Sequence, residues 1–510
     1  MIRLTDSVPE IYGELLYRAV KNEARLSSRI YRPDVIYSMD QAGWPGDWEG
    51  RTILALAMHY RVQKRPPAYL KEMIEDVPNH LNARGYVGRI LPEGIFDEQQ
   101  FSGHNWFIRG LMEYYLITGE EHILGTVSRI VENLYLPAKG YYTGYPLDPT
   151  LRGGEGSYSG RTVGTGGAFI LSSDIGCAFM CLDGLSQYYL LKKDSRVADL
   201  LYEMIAKFAE IDFVAANMQT HAALSAARGI LRMYEATGDA ALLEIAERIF
   251  GIYCREGMTE NYANFNWFGR KDTWTEPCAI TDSLILALML FRSTGNENYP
   301  GLAHRIYYNA FCYAQRSNGG FGTDRNTGPY GRVLRPHGNG LSEAYWCCTM
   351  RGAEGIKAVA ENLVASPDGK DIYLLFGGSY YYDNGHFTVS FKSNIPYGNG
   401  FEIVFKPSEN YEGTIHIYNG SGFSAHRINA AAGIPILIRK EESTPALHEE
   451  KAFATEGKKY FAGDLLLGIA NQRLKRALTY DIDGLQLSPL TDMIDVEPEE
   501  LAGECRQIVF

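Results

Sequence analysis

The chain of 510 residues has no surplus of positive charge: 49 lysines and arginines stand against 61 aspartates and glutamates, a net charge of −12. Such a field repels phosphate backbones and anionic membrane surfaces, so no nucleic acid partner is expected. Long hydrophobic runs are missing too. None approaches the roughly 18 uninterrupted apolar residues of a membrane span, and no membrane partner is expected. The opening stretch MIRLTDSVPEIYGELLYRAV lacks the apolar core of a secretory signal, which gives the expectation of a cytoplasmic protein. Cysteine is sparse: Cys177, Cys181, Cys254, Cys278, Cys312, Cys347, Cys348 and Cys505. In a reducing compartment, clustering among them favours metal or catalysis over disulfides.

What is present reads as a soluble globular protein, with 45% hydrophobic and 12% aromatic residues and length enough for two domains. A loose repeat runs through the first two thirds. GHNWFIRGLMEYYLITGEEHIL, CAFMCLDGLSQYYLLKKDSRVADL, HAALSAARGILRMYEATGDAALLEIA and TDSLILALMLFRSTGNENYPGLA each place a helix, a polar turn and a second helix. Gly119, Gly238 and Gly295 stand where a helix stops in the left-handed conformation. An earlier copy begins at Gly50, and a sixth helical segment at Arg351. Helix pairs of this kind stack as an open solenoid or close into a ring of six hairpins. Uneven spacing favours closure, as does a long glycine and tyrosine insertion over 140–167. From about residue 366 the period changes to two, with Asn384-Gly385 as a hairpin signal. The predicted architecture is mainly α: an (α/α)6 barrel over 1–365, then an antiparallel β-sandwich over 366–510.

The chemistry concentrates in two stretches, TENYANFNWFGRKDTWTEPCAITDS (259–283) and EAYWCCTMRG (343–352). Adjacent cysteines form a disulfide only through a strained ring, so Cys347 and Cys348 read poorly as a bridge. With Glu276 and Cys278 they supply one carboxylate and three sulfurs, a set that suits tetrahedral zinc. The competing reading is buried small hydrophobes, since unpaired cysteine is among the most buried residue types. Cys177 and Cys181, one helical turn apart, read as core filling. Asp47 and Glu49 read as caps of the first barrel helix. The six tryptophans all precede the β region, and Trp274 is taken as a candidate face for a sugar ring.

The order Glu260, then Glu276-x-Cys278, then Cys347-Cys348, set among paired helices and followed by strands, resembles the β-L-arabinofuranosidases of glycoside hydrolase family 127 and the related family 146. The resemblance spans at least 50–364. It implies a zinc held by Glu276, Cys278, Cys347 and Cys348, with Cys347 as nucleophile and Glu260 as general acid/base. His104 and His221 fall where the family places substrate-binding histidines, and His304 is a further candidate for substrate contact. The substrate implied is a glycoside or oligosaccharide bearing a terminal sugar, cleaved with retention. Three positions depart from the family pattern. SSDIGCAFMC, with Asp174 and Cys177, stands where a histidine is usual. His304 replaces a glutamate, and Thr349-Met350-Arg351 replaces Pro-Pro-Asn. These departures suggest the same mechanism on a different sugar. Rival readings are a zinc-free enzyme on the same barrel, such as an unsaturated uronyl hydrolase or sugar epimerase, or a non-catalytic carbohydrate-binding protein with a structural zinc.

Overall fold

Twelve main helices alternate between two environments in the computed structural model, which describes residues 8–38, 43–152, 160–325, 333–338, 340–366, 371–453, 457–469, 478–491 and 506–507. In chain order they are α1 Gly13–Leu26, α2 Asp47–Gln63, α3 Leu70–Asp76, α4 Glu98–Thr118, α5 Glu121–Ile130 and α6 Leu182–Lys192. Then follow α7 Ser195–Phe208, α8 Thr220–Thr237, α9 Ala240–Glu256, α10 Pro277–Thr294, α11 Asn298–Ile306 and α12 Cys348–Glu361. Cys505 and residues 153–159 of the long insertion lie outside the described residues.

The even-numbered helices form the inner ring, each packed on the next, and α12 closes the ring on α2. The odd-numbered ones lie outside it, with α1 against both α12 and α2. Sequence explains the sorting. Outer α7 buries Val197, Leu200, Leu201, Met204, Ile205 and Phe208, the single stripe of an amphipathic helix. Inner α10 carries apolar residues on every face, with Asp282 and Arg292 its only charged groups. Its length and apolar composition would suit a membrane, yet it is buried within the protein. Gly119, Gly238 and Gly295 cap α4, α8 and α10 at φ of 71°, 75° and 69°, the left-handed turn expected of them.

The β region is more elaborate than the expected sandwich. One sheet runs Glu10–Tyr12, Ser379–Asp383, Phe387–Ser393, Phe401–Pro407, Ile436–Lys440, and a second Phe423–Ala430, Tyr411–Tyr418, Asp371–Leu374, Val364–Ala365. Buried Phe391, Ile403 and Phe405 of the first and Ile372, Ile415 and Ile417 of the second share one core, alternating with more exposed neighbours along each strand. Two corrections to the sequence reading follow. Glu10–Tyr12 pairs with Ser379–Asp383, so residues 10–12 belong to the sandwich, and Tyr411–Tyr418 runs parallel to Asp371–Leu374. A third sheet, built from Leu447–Lys451, Lys458–Ala462, Leu465–Ile469, Leu485–Pro489 and Tyr480–Ile482, lies against the barrel. Asp464 in its central turn accepts from Arg305 at the end of α11, and the Leu466 N–H donates to Asn309.

Candidate active site

The N-terminal ends of the inner helices meet around a pocket of about 310 Å³. Four tryptophans wall it: Trp44, Trp48, Trp274 and Trp346. Its polar lining includes Asp47, Arg51, Asp174, His221, Glu276, Cys347 and Cys348. Cys347 is the N-cap of α12 and Glu276 the N-cap of α10, with Pro277 at the first helical position, where its fixed φ suits a helix start. Two neighbouring inner helices therefore aim the positive ends of their dipoles at one cluster of acidic side chains, which favours thiolate and carboxylate there.

Cys278 Sγ lies 3.5 Å from Cys348 Sγ, and Cys347 Sγ lies 3.4 Å from Cys348 Sγ. With a Glu276 oxygen these ligand atoms all fall within 4.8 Å of one another, and the group could hold a metal ion. Hydrogen bonds from the Cys278 and Cys348 thiols pull the Cys347 thiol down against burial, with the Arg51 guanidinium assisting. Burial, together with its bonds to the other two cysteines, pushes Cys348 up. Burial also lifts the Glu276 carboxyl well above the usual range, reinforced by the charges of Cys278 and Asp174. A buried carboxyl beside sulfurs is costly unless positive charge offsets it, and Arg51, whose guanidinium lies 3.6 Å from Cys278 Sγ, supplies part of that charge.

Below the cysteines lies a buried charged layer. His221 Nδ1 donates to Asp282 at 2.7 Å, and Asp282 also accepts from Ser225, Arg228 and Arg351. Against burial, the guanidiniums of Arg351 and Arg228 hold the Asp282 carboxyl far below the carboxylate range. This bond orients the imidazole of His221, which lines the pocket and whose buried Nε2 has no protein hydrogen-bond partner among the described residues. Trp106 stacks on His221 at 5.6 Å between ring centroids, and the guanidiniums of Arg51 and Arg351 lie 4.2 and 4.5 Å from the Trp106 centroid.

Of the residues singled out in the sequence, the fold brings together Glu276, Cys278, Cys347, Cys348, His221 and Trp274. Three others lie elsewhere. Glu260 is fully buried away from the pocket lining, where its carboxylate accepts from the Phe453 N–H at 2.8 Å and pairs with Lys459 at 3.3 Å. His304 packs between Phe376, Tyr308 and Tyr418, with Nδ1 3.1 Å from Asp464. His104 is fully buried; its Nε2 accepts from the Val87 N–H at 3.0 Å and Nδ1 faces the Gln100 carbonyl at 2.9 Å. The sequence departures are reassigned as well. Thr349 donates to Glu343, Met350 sulfur accepts from Thr52, Arg351 joins Asp282, and Cys177 is core, so Asp174 alone of that set lines the pocket. Asp47 does not cap α2, whose N-cap is Gly46; its carboxylate pairs instead with Arg51 at 2.9 Å. The roles of Asp282 and Arg351 escaped the sequence reading. A lone aspartate opening an otherwise apolar inner helix was the available signal, because aspartate is rarely fully buried unless paired.

No family model and no curated sequence matches the chain. Among solved structures its fold is similar to a GH127 β-L-arabinofuranosidase from Geobacillus stearothermophilus T6, with a TM-score of 0.64 at 11% identity, covering 100% of this chain and 99% of that one. A second GH127 β-arabinofuranosidase aligns over 92% of this chain and 84% of its own, with a TM-score of 0.61 and 13% identity. A glycoside hydrolase aligns over 95% and 88%, with a TM-score of 0.62 and 14% identity. At these identities the likeness is one of fold: an (α/α)6 barrel with appended β-sheets.

Proposed function

We propose that the chain is a retaining glycoside hydrolase that removes a terminal sugar, L-arabinofuranose-like or related, from a glycoside or oligosaccharide, with Cys347 as nucleophile. The observation that carries this reading is the placement of Cys347 at the wall of a tryptophan-lined pocket, within a cluster of three sulfurs and one carboxylate. The similarity in fold to GH127 arabinofuranosidases supports it.

The donor set fits zinc. In a tetrahedral site, Zn–S bonds of about 2.3 Å place two sulfurs about 3.8 Å apart, close to the separations of 3.4 and 3.5 Å found here. Glu276, Cys278, Cys347 and Cys348 would hold the ion, and its chemistry would be to keep the cysteines deprotonated at neutral pH. The protein's own groups do the rest. Tryptophan faces suit the apolar faces of a sugar ring, and His221, held by Asp282, would offer its Nε2 to a hydroxyl. The Cys347 sulfur attacks the anomeric carbon, and water later displaces it, two inversions that give net retention.

Intact-protein mass spectrometry after exposure to activated aryl furanosides and pyranosides tests the reading. The expected result is a glycosyl mass that maps to Cys347, together with one zinc per chain. An adduct on a carboxylate, or turnover undiminished in Cys347→Ala, would overturn it.

A further inference from the structure

Retention requires a group that protonates the departing oxygen and later takes a proton from water. Glu260 does not reach the pocket, being held by Lys459 and the Phe453 N–H. Among the described residues, three carboxylates do line it: Asp47, Asp174 and Glu276. Asp47 is committed to Arg51, both of its oxygens lying 2.9 Å from Nε. Glu276 belongs to the metal group. Asp174 is the remaining one. It is 1% exposed, near enough to Glu276 for their charges to interact, and lies in the same pocket as Cys347. The Gly160 N–H donates to its Oδ2 at 2.6 Å, which holds the side chain, and its own backbone N–H donates to Ser172 Oγ at 3.2 Å, which holds the main chain beneath it.

The geometry points to Asp174 as the acid/base of the reaction, an assignment that rests on the glycosidase reading above. In the first step the Cys347 sulfur forms a bond to the anomeric carbon as the bond to the leaving oxygen breaks. That oxygen takes the electron pair and the carboxyl proton of Asp174. In the second step water gives a proton to the Asp174 carboxylate and its oxygen bonds the anomeric carbon, while the carbon–sulfur pair returns to Cys347. Atoms and charge balance with no further reactant.

The test uses the full zinc-loaded chain and two glycosides of whichever sugar labels wild-type Cys347, one with a dinitrophenyl and one with an alkyl leaving group. Asp174→Asn is expected to lose at least about 100-fold in kcat/KM on the alkyl glycoside, and less than tenfold in labelling by the dinitrophenyl glycoside, which needs no proton to leave. The Cys347 adduct should accumulate, and azide should release it as the glycosyl azide of retained configuration. Asp174→Glu should recover part of the loss. If Asp174→Asn does not fold, a steeper leaving-group dependence in Asp174→Glu than in wild type supports the assignment, and an unchanged one overturns it. Equal losses on both substrates, or this discrimination appearing in Glu260→Gln or His221→Gln instead, would also overturn it. A wild-type protein that never labels Cys347 refutes the glycosidase reading itself. Labelled wild type with an indifferent Asp174→Asn refutes the acid/base assignment alone.

Discussion

Glu260 and Lys459 show what a single buried contact costs and decides. Both side chains are fully buried, and burial pushes the Lys459 amine down to about 8 even with Glu260 beside it. Removing one partner strands the other charge, a loss of about 3–5 kcal/mol. Glu260→Gln is therefore expected to lower the thermal midpoint by many degrees while the folded fraction still labels at Cys347. A normal midpoint with labelling abolished would return Glu260 to the chemistry. At the metal group the expectation is different. Cys278→Ser and Cys348→Ser should lose bound zinc, measured by elemental analysis of chelator-free protein, and melt at lower temperature, since the metal's binding energy contributes to folding.

At the scale of elements, close helix crossings hold the ring together. A Cβ on Gly50 of α2 would lie 2.2 Å from the Phe107 backbone nitrogen of α4, and one on Gly229 of α8 would lie 2.3 Å from the Leu182 backbone carbon at the start of α6. Backbone cannot yield as a flexible side chain can. Gly50→Ala or Gly229→Ala should destabilise by about 3 kcal/mol or prevent folding. Gly119→Ala, which meets nothing within 4 Å and suffers only from its φ of 71°, should cost about 1–2 kcal/mol. Denaturant titrations of the three variants would show this contrast, and equal midpoints would refute it. The crossings also position the site, because they fix how far apart the inner helices' N-termini stand.

For the whole molecule, two buried histidines contribute acid sensitivity. Burial lowers His59 to about 3 and His104 to about 4, from about 6.5 when unfolded. His104 must be neutral because Nε2 accepts the Val87 N–H. Below pH 6.5 the unfolded chain binds protons that the folded chain refuses, so stability falls as pH falls, by on the order of 3 kcal/mol for His104 by about pH 4. Below that, the depressed carboxylates act in the same direction. Against burial, the guanidiniums of Arg351 and Arg228 hold Asp282 down, and those of Arg109, Arg228 and Arg232 hold Asp183 down. Burial also lifts the Glu49 carboxyl to about 8, which acts the other way between pH 8 and about 4.5, so the histidine contribution is read as a difference: the urea midpoint of wild type should fall relative to that of His104→Gln as pH drops from about 6.5 to about 4. A difference between the two midpoints that is the same at pH 7 and pH 5 would refute this.

Much of this fold is written locally. Helix pairs, glycine stops, the change of period near residue 366 and the Glu276-x-Cys278 and Cys347-Cys348 motifs follow from patterns a few residues long, because periodicity and turn chemistry act between neighbours in the chain. Local pattern says which face of an element is buried, not what it is buried against. Glu260 and Lys459 stand 199 residues apart, so only the folded chain could set that carboxylate under the third sheet. The same holds for His304 beneath Asp464, for the strand Glu10–Tyr12 that joins the sandwich, and for Asp174, which the closure of the ring brings to the pocket that holds Cys347. The sequence by itself determined the parts and the two motifs that supply Glu276, Cys278, Cys347 and Cys348; tertiary structure decided which carboxylates reach the pocket, because reach depends on distant contacts that no short pattern encodes.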